Sequence, residues 1–114
     1  MQIFWKDKRI KELCESKDKM KKAKLDKKEQ KNLAKAIINL KNVKSIDQMP
    51  KNFRCHPIKE GKKFLYFAID LPSVGGGRGK NRLLVKPPDE LEYDLAKLQT
   101  ITSIEILEIK NYHK

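Results

Sequence analysis

The sequence predicts an α+β domain in which a helical hairpin packs on a curved, mainly antiparallel sheet. Three observations lead there. Apolar residues recur at helical spacing up to Leu40, they gather into strand-like runs from Phe64 onward, and no linker or internal repeat divides residues 1–114. A chain of this length builds one domain around a single modest core.

The elements follow in order. Gln2–Trp5 reads as a short first strand, ended by the charged Lys6-Asp-Lys-Arg9. Asp7 is placed to cap a first helix in which Ile10, Leu13 and Cys14 share a face. Residues 15–24 are dominated by lysine and read as a solvated helix end or a hairpin loop. Asp26 and Glu29 have capping-box spacing. Behind them Leu33, Ala36, Ile37 and Leu40 fall at i, i+3, i+4 and i+7, the pattern of a second amphipathic helix. Ser45–Pro50 reads as a turn or a single helical turn, stopped by its proline. Phe64–Leu71 is an aromatic and aliphatic strand, Pro72–Gly79 a glycine-rich hairpin tip, and Arg82–Lys86 the partner strand, ended by Pro87-Pro88. Leu91, Leu95 and Leu98 have helical spacing, which predicts a short helix within 89–98. The last strand runs through Ile104, Ile106, Leu107 and Ile109; its single parity slip implies a bulge. Asn111, Tyr112, His113 and Lys114 follow at once. A chain end usually frays, but an apolar strand should hold this one down and so position an amide, a phenol, an imidazole and an ammonium.

Charge narrows the function. The formal net charge is +12, and 12 Lys or Arg face 6 Asp or Glu over residues 6–31 alone. Such an excess predicts a polyanionic partner, with Lys21, Lys22, Lys24, Lys27, Lys28, Arg78, Lys80 and Lys114 as candidates to follow RNA phosphates. The plain alternative is that these lysines form a solvated face. No apolar run is long enough to span a bilayer, and the N-terminal residues lack a signal-peptide core. Cys14 and Cys55 therefore read as free thiols of a cytoplasmic protein.

Two familiar sites are set aside. Gly75-Gly-Gly-Arg-Gly-Lys80 is not a phosphate loop: Val74 stands where the first glycine is required, Asn81 replaces the Ser or Thr, and a strand follows instead of a helix. Cys55 and His56 are adjacent and no CxxC or HxxxH spacing occurs, so neither a metal nor another cofactor is expected. The two histidines are more informative. His56 and His113 each sit at an element boundary of a basic chain, with Lys59, Arg82 and Tyr112 as companions. RNA scission needs a base for the 2′-hydroxyl, a cation for the charge that builds on phosphorus, and an acid for the leaving oxygen. This set contains all three.

Arg54-Cys-His-Pro-Ile-Lys59, then Tyr66-Phe-Ala-Ile-Asp70, then Asn81-Arg-Leu-Leu-Val85, then Ile109-Lys-Asn-Tyr-His113, resembles in order and spacing the HigB-type killer toxins of the RelE/ParE superfamily. The resemblance covers most of the chain and implies the RelE/ParE-like fold. It also implies ribosome-dependent cleavage of mRNA, without a metal, by 2′-OH attack that leaves a cyclic phosphate. A helix-turn-helix, HigA-like antitoxin would bind the toxin in a hetero-oligomer. The matching active-site positions are His56, Lys59, Arg82, Tyr112 and His113, with Lys59 and Arg82 on the scissile phosphate and Tyr112 stacked on a base. Toxins with this ending often carry an acidic residue before Tyr-His. Here it is Asn111, whose amide cannot charge an imidazole, so either histidine can be acid or base. Two other readings stand beside this one: a ParE-like inhibitor of DNA gyrase, and a basic RNA- or ribosome-binding domain without catalysis.

Overall fold

The computed structural model describes residues 1–74 and 81–111. Among these the element order is β1 (Gln2–Trp5), α1 (Lys8–Glu15), α2 (Lys17–Lys22), α3 (Lys27–Asn42), β2 (His56–Glu60), β3 (Lys63–Leu71), β4 (Asn81–Lys86) and β5 (Ser103–Asn111). Short 3₁₀ turns cover Ile46–Gln48, Lys51–Phe53 and Leu98–Thr100. The strands form one sheet in the order β1-β5-β4-β3-β2, with β1 parallel to β5 and every other pair antiparallel. Three helices on one sheet make an α+β layer fold.

Helix starts follow the capping chemistry. The Asp7 carboxylate accepts from the Ile10 amide to open α1, and Asp26 and Glu29 close a reciprocal capping box on α3. Of the two readings of residues 15–24, a solvated helix end or a hairpin loop, the structure is nearer the first, with a separate short helix over Lys17–Lys22. Ser16 caps α2, and Met20 and Leu25 drop into the core beside Ile10 and Cys14. Two apolar residues in a lysine-rich stretch are enough to bury one face, while the lysines stay in water.

Alternation along the strands separates two faces. Phe67, Ile69, Leu71, Leu83, Val85, Ile104 and Ile106 pack against Leu33, Ala36, Ile37 and Leu40 of α3. Ala68, Asp70 and Leu84 are also buried but point to the face without helices, and Ala68 and Leu84 lie outside the main core cluster. Between Val85 and Leu84 the partner on β5 jumps from Ile106 to Glu108, so Leu107 is the extra residue of the expected bulge.

Two further elements differ from expectation. His56–Glu60 is an edge strand joined to β3 by the two residues Gly61-Lys62, where Gly61 supplies a positive φ of 63°. Its proline and charges, unusual inside a sheet, suit an edge. The helix expected within 89–98 is not formed: Asp94 pairs with Lys97 in an isolated bridge, and its carboxylate takes the Ala96 amide. That local side-chain bond competes with the helical one. Leu91 is left exposed, while Leu95 and Leu98 pack on the core edge.

A polar latch fixes α3 to the sheet. Glu29, only 3 % exposed, accepts from the Asn81 amide at 2.7 Å; Asp26 accepts from the Val74 backbone at 3.1 Å; Asn32 donates to the Pro72 carbonyl at 2.9 Å. Partial burial works against the charged form of Asp26. The Glu29 and Val74 amides outweigh it and hold the carboxyl below its usual 3.8. Because the folded value is depressed, the stabilisation is present above pH 3.8 and is lost as pH falls through the folded value. Asp26→Ala should cost about 1–2 kcal/mol at neutral pH. It should also flatten the fall of denaturant midpoint below pH 4, measured by urea melts across the acid range.

Candidate active site

The sheet face without helices gathers the polar groups. Register sets Asp70 of β3 opposite Arg82 of β4, and Arg82 opposite Lys110 of β5, so three charged residues cross the sheet in one row. Arg54 reaches this row from the turn before β2. Asp70 is 2 % exposed in its side chain and lies between two guanidinium groups, with Arg54 Nε 2.8 Å from Oδ2 and Arg82 Nε 2.7 Å from Oδ1. The Arg54 contact is a directed hydrogen bond. The Arg82 contact is off the N–H axis, since Oδ1 accepts no hydrogen bond, so charge rather than direction holds it. Arg82 also donates through Nη1 to the Asn81 carbonyl, which ties the row to the latch on α3.

His56 stands in the next row, opposite Ala68. Its Nδ1 lies 2.5 Å from the Arg54 carbonyl. A carbonyl only accepts, so Nδ1 carries the proton and Nε2 is left as the basic nitrogen. The ring is therefore set to take a proton when neutral, or to give one from Nε2 when charged. Beside this row Leu65, Tyr66, Leu84 and Leu107 line a shallow cavity of about 340 Å³, with Lys6, Lys86, Glu105 and Glu108 at its charged margin.

The five expected catalytic residues are not all brought together. His56 and Arg82 share this face. Lys59 pairs with Phe64, which packs on the core, and it alternates with His56 along β2; it therefore stands on the other side of the sheet. Tyr112 and His113 lie outside the described residues, as do Lys114, Arg78 and Lys80; in the chain Tyr112 follows Asn111, the residue of β5 that pairs with Asn81. Arg54 and Asp70 were quoted in the motifs without a role. Their signal was parity: Asp70 shares a face with Tyr66 and Ala68, and only the register with β4 shows that Arg82 meets it.

The thiols carry no acid–base chemistry near neutrality. Burial, then the Asp70 charge, pushes Cys55 up to about 12; burial, then Glu15, does the same to Cys14. Among the described residues no three His, Cys, Asp or Glu side chains cluster as a metal site, and no helix is long and apolar enough to cross a membrane.

A second basic feature lies on the helix side. Lys17, Lys21, Lys27, Lys28 and Lys31 line a groove of about 650 Å³ together with Met20, Gln30, Ala34 and Val74. Lys22 and Lys24, grouped with them on sequence grounds, do not line it. Compared with known protein families, curated proteins and solved structures, the chain matches none.

If the groove lysines track phosphates, Lys21→Glu and Lys28→Glu should each flatten the salt dependence of single-stranded RNA binding by about 0.7 in log K against log salt. Lys22→Glu and Lys24→Glu should change it less. Anisotropy titrations with poly(U) at several salt concentrations make the comparison; equal changes from both pairs would mean a diffuse field instead of a groove.

Proposed function

We propose that the chain is a toxin-type endoribonuclease that cuts mRNA on the ribosome, with its site on the helix-free face of the sheet. The observation that supports this best is the juxtaposition of an Nε2-basic His56 with a guanidinium pair anchored on Asp70. The resemblance to HigB-type toxins adds Tyr112 and His113 to the same site.

In this reading one histidine removes the 2′-hydroxyl proton and the 2′-oxygen attacks phosphorus. The bond from phosphorus to the 5′-oxygen breaks, and the other histidine protonates that oxygen. The products are a 2′,3′-cyclic phosphate and a free 5′-hydroxyl, and both histidines end in exchanged protonation states. Arg82 stabilises the charge that grows on the non-bridging oxygens. His56 suits the base, because its Nδ1–H is already committed to a carbonyl and its Nε2 is the nitrogen left to accept. His113 then falls to the acid. Tyr112 stacks on a base next to the cut, and the leucine-lined cavity beside Tyr66 offers a neighbouring base an apolar seat. A HigA-like antitoxin would silence the site in a hetero-oligomer. The gyrase-inhibitor reading needs no histidine pair, so the His56 geometry favours the nuclease.

Lys59 leaves the phosphate in this proposal, since its strand position turns it to the other side of the sheet. Lys59→Ala should therefore change cleavage by less than threefold, within the range of a surface substitution. His56→Gln and His113→Gln should each slow cleavage of ribosome-bound mRNA by about 10²–10⁴-fold. Primer extension on translating ribosomes reads both. Full cleavage by the His113→Gln protein would remove that residue from the chemistry; full cleavage by both histidine variants would overturn the nuclease proposal.

A further inference from the structure

Asp70 is a buried carboxylate that no step of the proposed cleavage uses, and Arg54 is an arginine held in a backbone conformation that arginine avoids. Arg54 has φ 44° and ψ 50°, the left-handed region in which a side chain beyond glycine is strained. It ends the 3₁₀ turn Lys51–Phe53, and its amide returns to the Lys51 carbonyl at 3.0 Å. The strain delivers the guanidinium across the edge strand to Asp70. A glycine there would turn the chain at lower cost, so the turn alone does not account for the arginine.

The charges do not cancel. One carboxylate faces two guanidinium groups, so the cluster carries a net single positive charge. Arg54 meets Asp70 through Nε alone among the described residues. Its side chain is 42 % exposed, and its two Nη groups make no hydrogen bond among the described residues, which leaves them as donors for a ligand. A planar guanidinium anchored on one edge presents a fixed fork, the geometry that grips two oxygens of one phosphate. The neighbouring thiol of Cys55, held neutral by burial, adds no competing negative charge.

We infer that Arg54, oriented by Asp70 beside Arg82, forms a binding site for a single phosphate group of a nucleic-acid strand. Asp70 is its positioning residue: it touches no ligand, sets the angle of the Arg54 guanidinium through the Nε bond and holds Arg82 beside it by charge. The inference deepens the proposed function at the same face but does not require that the strand be cut.

The experiment is a titration of the whole protein with uridine 3′-monophosphate, followed through the Arg Nε–Hε signals in ¹H–¹⁵N spectra. Both Arg54 and Arg82 should shift together and saturate. Arg54→Gly suits the left-handed backbone while removing the fork; it leaves Asp70 with one guanidinium, so its melting temperature should fall, and at a temperature where it is folded it should weaken binding by about tenfold. Arg54→Lys keeps the charge and should recover less than half of that loss. Asp70→Asn adds one unit of net positive charge, and a merely electrostatic site would bind tighter; a positioned one should bind more weakly. Wild-type affinity in Arg54→Gly, tighter binding in Asp70→Asn, or unsaturable shifts spread over many lysines would each overturn the inference. If Asp70→Asn does not fold, the Arg54→Gly comparison decides alone. A protein that binds in this way yet leaves ribosomal mRNA intact would sink the nuclease and keep the site.

Discussion

Asp70 carries a full negative charge to a position where its side chain is 2 % exposed, and the sheet tolerates it because two guanidinium groups arrive from different elements. Losing a partner from a buried pair costs about 3–5 kcal/mol, so this carboxylate constrains everything around it. Arg82 must stand opposite on β4, which requires the β3–β4 register to be kept to the residue. Arg54 must turn back over β2, which requires a left-handed residue before that strand. His56 inherits its tautomer from the same turn, because the carbonyl that accepts its Nδ1 proton belongs to Arg54. One buried charge thus orders an arginine pair and a histidine at once.

The latch on α3 does the corresponding work on the other side of the sheet. Glu29 is buried as an acceptor for Asn81, the residue before Arg82, while Asp26 holds the Val74 amide beyond the end of β3. Helix capping and sheet position are therefore one network. A change in the capping box should be felt at the start of β4, at the residue next to the arginine that faces Asp70. The lysine groove lies against the same helix, so the basic surface and the candidate site share a frame.

Much of this was legible in the sequence. The Asp7 cap, the Asp26–Glu29 capping box, the i, i+3, i+4 stripe of α3, the apolar runs of β3 to β5 and the parity slip at Leu107 are local signals, and they predicted elements that the structure contains. The edge strand His56–Glu60 was not legible, because its charges and Pro57 obscure the strand pattern and the Gly61-Lys62 turn is only two residues long. Met20 and Leu25 were lost among lysines whose stems outnumber them. The helix expected over 89–98 was over-read from three leucines, where Asp94 bonds its own backbone instead. At the site, residue types pointed to His56 and Arg82, but not to which side of β2 Lys59 would take, nor to Asp70 as the group that Arg54 and Arg82 share. Those facts depend on register, a property of two strands together.

The central claim is that this face acts on mRNA during translation. Pulse labelling after expression of the chain alone tests it most directly, with methionine incorporation followed beside thymidine incorporation. The account predicts that methionine incorporation collapses first and that the arrested mRNA ends in 2′,3′-cyclic phosphate. A fall in thymidine incorporation with translation intact would contradict it and favour a gyrase-directed toxin.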